Sequence, residues 1–504
     1  MVWARSRLRA PALLGKGEKA PPGARRGVFL RMSGIRAYGA YIPRTRLPLA
    51  LIQGRAAKDG GPEKAVAGDD EDVVTMAVAA GLDCLGDLER SEVDALIFAS
   101  TSYAQREKQA ATVVARALDL RRDVQTQDVS GSLRCGSTAL ENAVHAVSSG
   151  GARNVLVIAS DCRMGSPRGV LEAKLGDGAA AFLVSQEEVI AKLTGAHSVS
   201  NEFQDYWRGD GENFTHAWED RFIIQEGYTP AMIEVMQHLL AGTGQNISDF
   251  KTAAVVSPDA RSIGGVMKGV GLSRDQVQDL LIGRVGNTGA AYGLMLLAAS
   301  LERAQPGEHV LAASYGDGAH AMAFSVEEPI RNLAPRLGIS GHLDRRRPLK
   351  SYDAYLKSRG LGAGEWETSK DLGLSATIRF RERDADIGFV GARCTSCGQI
   401  HFPRQRVCYS CRAKDSFERV RLSDRSGTVL SYTFDFFFPK AEPPTIVVIT
   451  EVDGCRIQVQ MADAEPSDVK LDLPVRFTFR KIHDAGGKPN YFWKALPFSP
   501  GDVS

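Results

Sequence analysis

A run of small residues around one cysteine, set between a strand pattern and a helix pattern, constrains the fold of this chain most strongly. Residues 128–140 read Asp-Val-Ser-Gly-Ser-Leu-Arg-Cys-Gly-Ser-Thr-Ala-Leu and contain no proline. An apolar run at 95–99 lies upstream, and apolar residues recur at spacings of three and four from Ala139 to Val147 downstream, which indicates a helix. The segment therefore predicts a tight strand-to-helix turn with Cys135 near the head of the helix.

The position of Cys135 allows two interpretations. In the first turn of a helix, the dipole and the unpaired backbone N–H groups lower the pKa of a thiol and raise its thiolate fraction. This favours a nucleophilic cysteine. Free cysteines are also among the most buried residues, so a structural thiol is the alternative.

The segment resembles the nucleophile turn of the thiolase superfamily, in particular its hydroxymethylglutaryl-CoA synthase-like branch. Cys135-Gly136-Ser137 is similar to the Cys-Gly-Ser of thiolases. The resemblance spans residues 32–327 and implies an α/β fold, a five-layered domain of two similar halves. It also implies a coenzyme A thioester as substrate and a homodimer or higher homo-oligomer. An ungapped register places Leu133 where the nucleophile belongs, so either the turn shifts by two residues or the chain works without the thiol.

Two more positions depart from the synthase pattern. The glutamate that acts as general acid/base in hydroxymethylglutaryl-CoA synthases falls on Thr101. The catalytic histidine of the family falls on Ser257 or Pro258. The side chains of threonine, serine and proline do not titrate near neutral pH and cannot replace a glutamate or histidine as acid/base, so these departures favour chemistry that differs from the synthase reaction.

Other positions match the resemblance and supply candidate catalytic groups. Asn287 lies in Gly-Asn-Thr-Gly, which is similar to the Gly-Asn-Thr-Ser of ketoacyl synthases, where the asparagine holds the substrate carbonyl. Ser314 takes the place of the second thiolase cysteine. Tyr315 and His320 flank it, and we predict that they donate protons.

A polar, aromatic-rich insertion at 201–229 is expected to contact substrate, because long loops over a site usually do. Its Asp-Tyr-Trp-Arg resembles a turn of the synthase branch. We predict that Trp207, Arg208 and His216 bind substrate, for example a CoA phosphate or an acyl carboxylate.

Two Cys-x-x-Cys pairs, Cys394/Cys397 and Cys408/Cys411, predict a metal site. Four thiolates give closed tetrahedral coordination, which is typical of structural zinc (Zn²⁺), with iron as the alternative. Alternating strand patterns at 428–434, 445–452, 456–461 and 475–480 then predict a small OB-fold β-barrel. Ribbon and barrel together resemble the accessory domain that accompanies many thiolases, here fused to the same chain.

Composition limits the remaining possibilities. The net charge of +2 does not favour nucleic-acid binding, and no apolar run approaches the ~20 residues of a membrane span. Scattered cysteines outside the two pairs indicate a reducing compartment, so we expect a cytoplasmic protein.

The expected organisation has five parts. We expect a basic extension at 1–31, which is a presequence or a disordered segment, and the thiolase-like domain at 32–327. A connector at 328–385 with one helix at 352–359 follows, then a zinc ribbon at 386–420 and the barrel at 421–504.

Three functions are compatible with these residues. The first is an acyltransferase of the thiolase type, which performs β-ketoacyl-CoA thiolysis or condensation through Cys135. The second is a cysteine-independent retro-aldolase on β-hydroxyacyl-CoA, with Tyr315 as acid/base. The third is a non-catalytic scaffold that binds acyl-CoA.

Overall fold

The computed structural model describes residues 33–362, 375–437, 443–485 and 488–498, so the expected extension at 1–31 lies outside the described residues. The first half of the α/β domain comprises β1 (Gly34–Tyr41), β2 (Thr45–Pro48), α1 (Leu49–Ile52), β3 (Glu63–Ala65), α2 (Val73–Leu85), β4 (Ala95–Ala99), α3 (Ala110–Ala117), β5 (Gln125–Val129), α4 (Cys135–Ser148), β6 (Val155–Cys162) and β7 (Asp177–Ser185).

The second half carries the aromatic-rich insertion. It comprises β8 (Ala191–Ser200), β9 (Tyr206–Trp207), β10 (His216–Ala217), α5 (Asp220–Phe222), a π-helical turn (Ile223–Tyr228), α6 (Thr229–Thr243), β11 (Phe250–Val255), α7 (Ile263–Val270), α8 (Tyr292–Leu301), β12 (His309–Tyr315) and β13 (Gly318–Val326).

The two halves repeat one sheet topology. The first sheet runs β1-β7-β6-β4-β5, with β1/β7 and β6/β7 antiparallel and β4/β6 and β4/β5 parallel. The second sheet runs β8-β13-β12-β11, with β8/β13 and β12/β13 antiparallel and β11/β12 parallel. At the position that β5 occupies in the first sheet, the second has an isolated parallel bridge between Ala253 and Val277. A short antiparallel contact of β1 with β8 joins the sheets. The prediction of two similar halves is confirmed.

Helices fill the layers around and between the two sheets. α4 packs on β4 and β6, α8 packs on β11 and β12, and the two helices contact each other in the middle layer. All ten residues of α8 are buried because the sequence is apolar or small on every side. α2 and α3 cover the first sheet, while α6 covers the second and α7 packs against α6. This gives the five layers that the sequence predicts.

Local signals explain where the helices begin and end. Asp72 caps α2 by accepting hydrogen bonds from the backbone N–H groups of Val74 and Thr75 (both 2.9 Å). Gly244 (φ 71°) ends α6 in the left-handed region, which glycine adopts without a Cβ penalty.

The remaining elements form a connector, a ribbon and a small barrel. They are α9 (Gly338–Asp344), β14 (Arg347–Pro348), α10 (Tyr352–Ser358), α11 (Ala376–Asp386), β15 (Val390–Cys394), β16 (Ile400–His401), β17 (Phe417–Arg421), β18 (Gly427–Asp435), β19 (Thr445–Val452), β20 (Cys455–Gln460), β21 (Pro474–Ala485) and β22 (Lys488–Pro497). The connector thus holds three described helices where the sequence predicted one. The five barrel strands run β20-β19-β18-β21-β22, and a bridge from Met461 to Ala495 nearly closes the barrel.

A buried charge cluster fixes the barrel to the α/β domain. Arg480 of β21 is 1% exposed along its side chain and lies 3.2 Å from Glu71 and 3.3 Å from Asp463. Its Nη2 also donates to the hydroxyl of Tyr41 (2.9 Å), and Lys494 pairs with Asp70 (2.9 Å).

No helix in the described ranges is long and apolar enough to cross a membrane.

Candidate active site

A cleft lies between the turn before α4, the insertion, and the loop before α8. The empty volume of the cleft, including its open mouth, is about 400 Å³. The lining residues are Leu133, Tyr206, Val256, Ser257, Pro258, Asn287, Gly289, Tyr292, Gly293, Ser314 and Tyr315. Five of these eleven residues carry a hydroxyl group and one, Asn287, carries a side-chain amide.

The cleft receives Leu133 and not Cys135. Cys135 is the first residue of α4 and is 3% exposed. The helix head is pressed against the backbone before α8, since a Cβ on Gly136 would lie 2.3 Å from the carbonyl oxygen of Ala290. Burial, together with the charge of Asp161, raises the pKa of Cys135, although backbone N–H groups at the helix head oppose the shift. The prediction of a lowered thiol pKa is wrong, because burial outweighs the helix terminus.

Thr101 occupies the position of the general acid/base glutamate of hydroxymethylglutaryl-CoA synthases. It forms hydrogen bonds to a buried aspartate. The backbone N–H of Thr101 donates to Oδ1 of Asp161 and its Oγ1 donates to Oδ2 (both 2.7 Å). Ser100 and Ser102 donate to Oδ1 (2.9 and 2.7 Å), and the N–H of Ala290 donates to Oδ2 (2.7 Å). Asp161 is fully buried, so these bonds tie the loop after β4 to the loop before α8.

Asn287 is held as a donor towards the cleft. Its Oδ1 accepts the backbone N–H of Gly289 (2.9 Å). Because that oxygen is engaged, the amide nitrogen is the group left to donate to a ligand carbonyl. This arrangement suits the role that the sequence predicts for Asn287.

Tyr315 faces a buried carboxylate that the sequence did not single out. Tyr315 ends β12 and is 8% exposed, and its hydroxyl lies beside Asp205. Burial and then Asp205 raise the pKa of Tyr315. Burial also raises the pKa of Asp205, although the Tyr315 hydroxyl and the N–H of Tyr206 (2.6 Å to Oδ1) lower it. Asp205 belongs to the Asp-Tyr-Trp-Arg turn, which was the only sequence signal for it.

The neighbouring tyrosines have other partners. The hydroxyl of Tyr228 donates to the carbonyl of Val256 (2.9 Å), and that of Tyr292 donates to the carbonyl of Leu280 (2.7 Å). The ring of Tyr228 meets that of Tyr315 edge to face, with centroids 5.4 Å apart. Of Tyr228, Tyr292 and Tyr315, it is therefore Tyr315 whose hydroxyl lies next to a carboxylate.

The other predicted residues lie outside the cleft lining. His320 is 1% exposed, and its Nε2 lies 3.0 Å from Oε2 of Glu141. Trp207 stacks on His216 (centroids 5.7 Å apart), and Nη2 of Arg208 donates to the carbonyl of Thr101 (2.8 Å). The structure thus brings Asn287 and Tyr315 together in the cleft and separates His320 from them.

The four predicted metal ligands meet in the ribbon. The sulfurs of Cys394, Cys397, Cys408 and Cys411 all lie within 4.8 Å of one another. The Cys394–Cys411 and Cys397–Cys408 sulfurs are 3.7 and 3.6 Å apart. The backbone nitrogen of Cys411 lies 3.5 Å from Sγ of Cys408. The hydrogen bond from this N–H is the largest of the effects that lower the pKa of Cys408 to about 6.

Two repeated halves, a buried helix pair between them and a cleft at the helix heads define the fold of thiolase-type condensing enzymes. The chain is similar to a solved hydroxymethylglutaryl-CoA synthase complexed with CoA, with a TM-score of 0.59, 20% identity, and coverage of 65% of this chain and 90% of that one. It is also similar to 3-oxoacyl-[acyl-carrier-protein] synthase III from Aquifex aeolicus, with a TM-score of 0.51, 20% identity, and coverage of 58% and 99%.

Sequence comparison places the chain more narrowly. It is 31% identical over 338 residues to the hydroxymethylglutaryl-CoA synthase of Pyrococcus furiosus, which covers 65% of this chain and 95% of the relative. The chain belongs to the hydroxymethylglutaryl-CoA synthase family of transferase-type condensing enzymes. Residues 381–418 match the family "ChsH2, rubredoxin-like zinc ribbon domain".

Proposed function

We propose that this protein makes or breaks a carbon–carbon bond next to a CoA thioester without an acyl-cysteine intermediate, as an aldolase or retro-aldolase on β-hydroxyacyl-CoA. The observation that carries the proposal is that Leu133 and Tyr315 line the cleft, while Cys135 is buried. A leucine cannot form the thioester that covalent catalysis needs. A tyrosine beside a carboxylate can move the proton that aldol cleavage needs.

The proposed cleavage uses Tyr315 and Asp205 as a relay. The substrate β-hydroxyl gives its proton to the Tyr315 oxygen while the phenol proton passes to Asp205. The Cα–Cβ bond then breaks, Cβ becomes the carbonyl carbon of the released aldehyde or ketone, and the electron pair forms a thioester enolate. The Asn287 amide donates to the enolate oxygen. Cα then takes up the proton that Asp205 gives back through water, which leaves the shorter acyl-CoA and returns the relay to its starting state.

The raised pKa values fit this division of roles. Because the pKa of Tyr315 is raised, its hydroxyl stays protonated at neutral pH and passes protons without becoming a free tyrosinate. Because the pKa of Asp205 is raised, this carboxylate is a stronger base than an exposed aspartate. In the condensation direction the same relay protonates the alkoxide.

Intact-mass analysis tests the absence of a covalent intermediate. After incubation with acetyl-CoA or butyryl-CoA, we expect no acyl adduct on the wild type or on Cys135→Ala. On a panel of 3-hydroxyacyl-CoA thioesters, Cys135→Ala should release aldehyde at a rate within about twofold of the wild type, since no step uses the thiol. An adduct on the wild type that Cys135→Ala loses would establish thiolase-type catalysis instead. Tight CoA binding without turnover of any thioester would establish the scaffold.

We propose structural zinc in the ribbon, held by Cys394, Cys397, Cys408 and Cys411. Tetrahedral Zn–S bonds of about 2.3 Å place the sulfurs about 3.8 Å apart, close to the two shortest separations observed. Four thiolates leave no open position for substrate, so zinc would stabilise the ribbon only. We propose a reducing, cytoplasmic location, because four of the eight cysteines form the ribbon quartet and the other four are scattered along the sequence.

We also propose a homodimer formed through β5. This strand is the edge of the large sheet, and most of its side chains are exposed or half-buried. An exposed edge strand pairs readily with a second copy.

Native mass spectrometry tests the metal and the dimer together. We expect a dimeric mass with one zinc ion per chain. Cys408→Ser should lose the zinc, because three thiolates hold the ion far less tightly. Cys455→Ser is the matched control, since Cys455 is a buried barrel cysteine outside the quartet and its loss should leave the zinc in place. A monomeric mass or a wild type without zinc would contradict these proposals.

A further inference from the structure

The cleft is lined by uncharged side chains. Among the described residues, those that line it include no lysine, arginine, histidine, aspartate or glutamate. Leu133, Val256 and Pro258 supply apolar side chains, and Tyr206 and Tyr292 supply aromatic ones. A ligand group that enters this space exchanges water for hydrocarbon surface, which favours an apolar group and disfavours an ion.

The polar groups of the cleft are largely engaged. The hydroxyls of Tyr292 and Ser257 donate to backbone carbonyls (both 2.7 Å). The hydroxyl of Tyr315 lies beside Asp205. In the proposed reaction, the amide of Asn287 holds the thioester oxygen. The remaining lining hydroxyls are neutral, and they do not replace a cation as the partner of a carboxylate that has lost its water.

The charges behind the cleft wall do not offer a carboxylate a partner either. Asp205 accepts a proton in the proposed relay, so it is negatively charged at the start and repels an anion next to Tyr315. A Cβ on Gly289 would clash with both Asp161 and Arg163, so these two opposite charges lie together behind the wall and offset one another. Neither of the two lines the cleft.

We propose that the cleft selects β-hydroxyacyl thioesters whose β-carbon carries an uncharged aliphatic group, with Leu133 as a specificity-determining residue that contacts this group. Cleavage then releases an uncharged aliphatic aldehyde or ketone. The inference rests on the proposed function, because Tyr315 and Asn287 place the β-carbon in the cleft when they act on the β-hydroxyl and the thioester oxygen. Leucine at position 133 thus adds apolar surface where the family resemblance places a nucleophile.

Two thioesters of similar shape test the proposal on the full-length protein. 3-Hydroxy-4-methylpentanoyl-CoA carries an isopropyl group on Cβ, and malyl-CoA carries a carboxylate of the same branched shape. Both cleave to acetyl-CoA, with isobutyraldehyde from the first and glyoxylate from the second. We expect kcat/KM to be at least about tenfold higher for the isopropyl substrate, because the carboxylate loses its water without gaining a cation.

Leu133→Gln replaces apolar wall by a polar side chain of similar size. It should reduce the preference at least about fivefold, through lost apolar contact with the isopropyl group. Leu471→Gln is the matched control, since Leu471 is 57% exposed on the barrel and should keep the full preference when replaced. A wild-type preference below tenfold, faster cleavage of malyl-CoA, or an unchanged preference in Leu133→Gln overturns the proposal.

A second variant and a binding measurement keep the test decisive. If Leu133→Gln does not fold, Leu133→Ala takes its place, because it removes most of the apolar side chain and should also reduce the preference. Calorimetric binding needs no turnover. Tighter binding of the isopropyl thioester by a protein that cleaves neither substrate would contradict the aldolase reaction and leave the selectivity standing. Cleavage of both substrates at equal rates would support the aldolase reaction and overturn this inference.

Discussion

The Tyr315→Phe variant is expected to cleave its β-hydroxyacyl-CoA substrate with a kcat about 10²–10⁴-fold below that of the wild type. In the proposed relay the phenol oxygen passes the proton from the substrate hydroxyl to the neighbouring Asp205, so its removal breaks the proton path. The affinity for the thioester should change little, because the ring and the shape of the cleft remain. Steady-state kinetics with separate kcat and KM values measure both effects.

Tyr228→Phe is the matched control for this variant. Its ring contacts that of Tyr315, but its hydroxyl donates to the carbonyl of Val256. We expect a modest loss of stability, about 1 kcal/mol, and a kcat close to that of the wild type.

Asp205→Asn should lower kcat as Tyr315→Phe does and should remove the acidic limb of the wild-type pH profile. That limb reflects protonation of Asp205, whose raised pKa makes the rate fall as the pH drops. A Tyr315→Phe enzyme with normal kcat would exclude the relay.

The second large effect concerns stability. Arg480→Met is expected to lower the free energy of unfolding by about 3–5 kcal/mol, because it leaves buried carboxylates without their cation. Glu71 and Asp463 both lie within 3.3 Å of the guanidinium. Denaturant unfolding, followed by tryptophan fluorescence, measures the change, since Trp493 is fully buried in the barrel.

The loss in Arg480→Met should also depend on pH. Burial raises the pKa of Glu71 to about 7, although Arg480 lowers it. A carboxyl with a raised folded-state pKa stabilises the fold while protonated, and this stabilisation is lost as the pH rises through the folded-state value. The variant should therefore be less impaired at pH 6 than at pH 8.

Arg425→Met is the control on the barrel surface. Arg425 pairs with Asp453, and both side chains are at least one-third exposed. Exposed pairs contribute little, so we expect a loss below about 1 kcal/mol. Equal losses in the two variants would show that the Arg480 cluster does not hold the barrel in place.

The sequence predicted the fold where local patterns decide it. The two similar halves were implied by the family resemblance, whereas the cysteine ribbon and most barrel strands follow from motif spacing and alternating apolar residues. The strand Lys488–Pro497 was missed, although it pairs with its neighbour along most of its length. The helix Ala376–Asp386 was missed because it has no buried residue, so it shows no apolar stripe.

The arrangement of the candidate active site depends on contacts between residues that are distant in sequence, and no local sequence pattern reveals these contacts. The register that placed Leu133 at the nucleophile position came from the sequence, yet only the packing of Gly136 against Ala290 explains why Cys135 is buried. The Asp-Tyr-Trp-Arg turn was the only sequence signal for Asp205 and did not single out this residue. Its position beside Tyr315, which is distant in sequence, is visible only in the fold.

The zinc ribbon and the barrel form an accessory module on the same polypeptide as the α/β domain, and the buried charge cluster around Arg480 fixes the barrel to that domain. Two separate chains joined through such a contact would come apart on dilution, whereas a tethered module keeps a constant local concentration however scarce the protein is. Every copy synthesised therefore carries its own module in a one-to-one ratio, with no need to balance the expression of two genes.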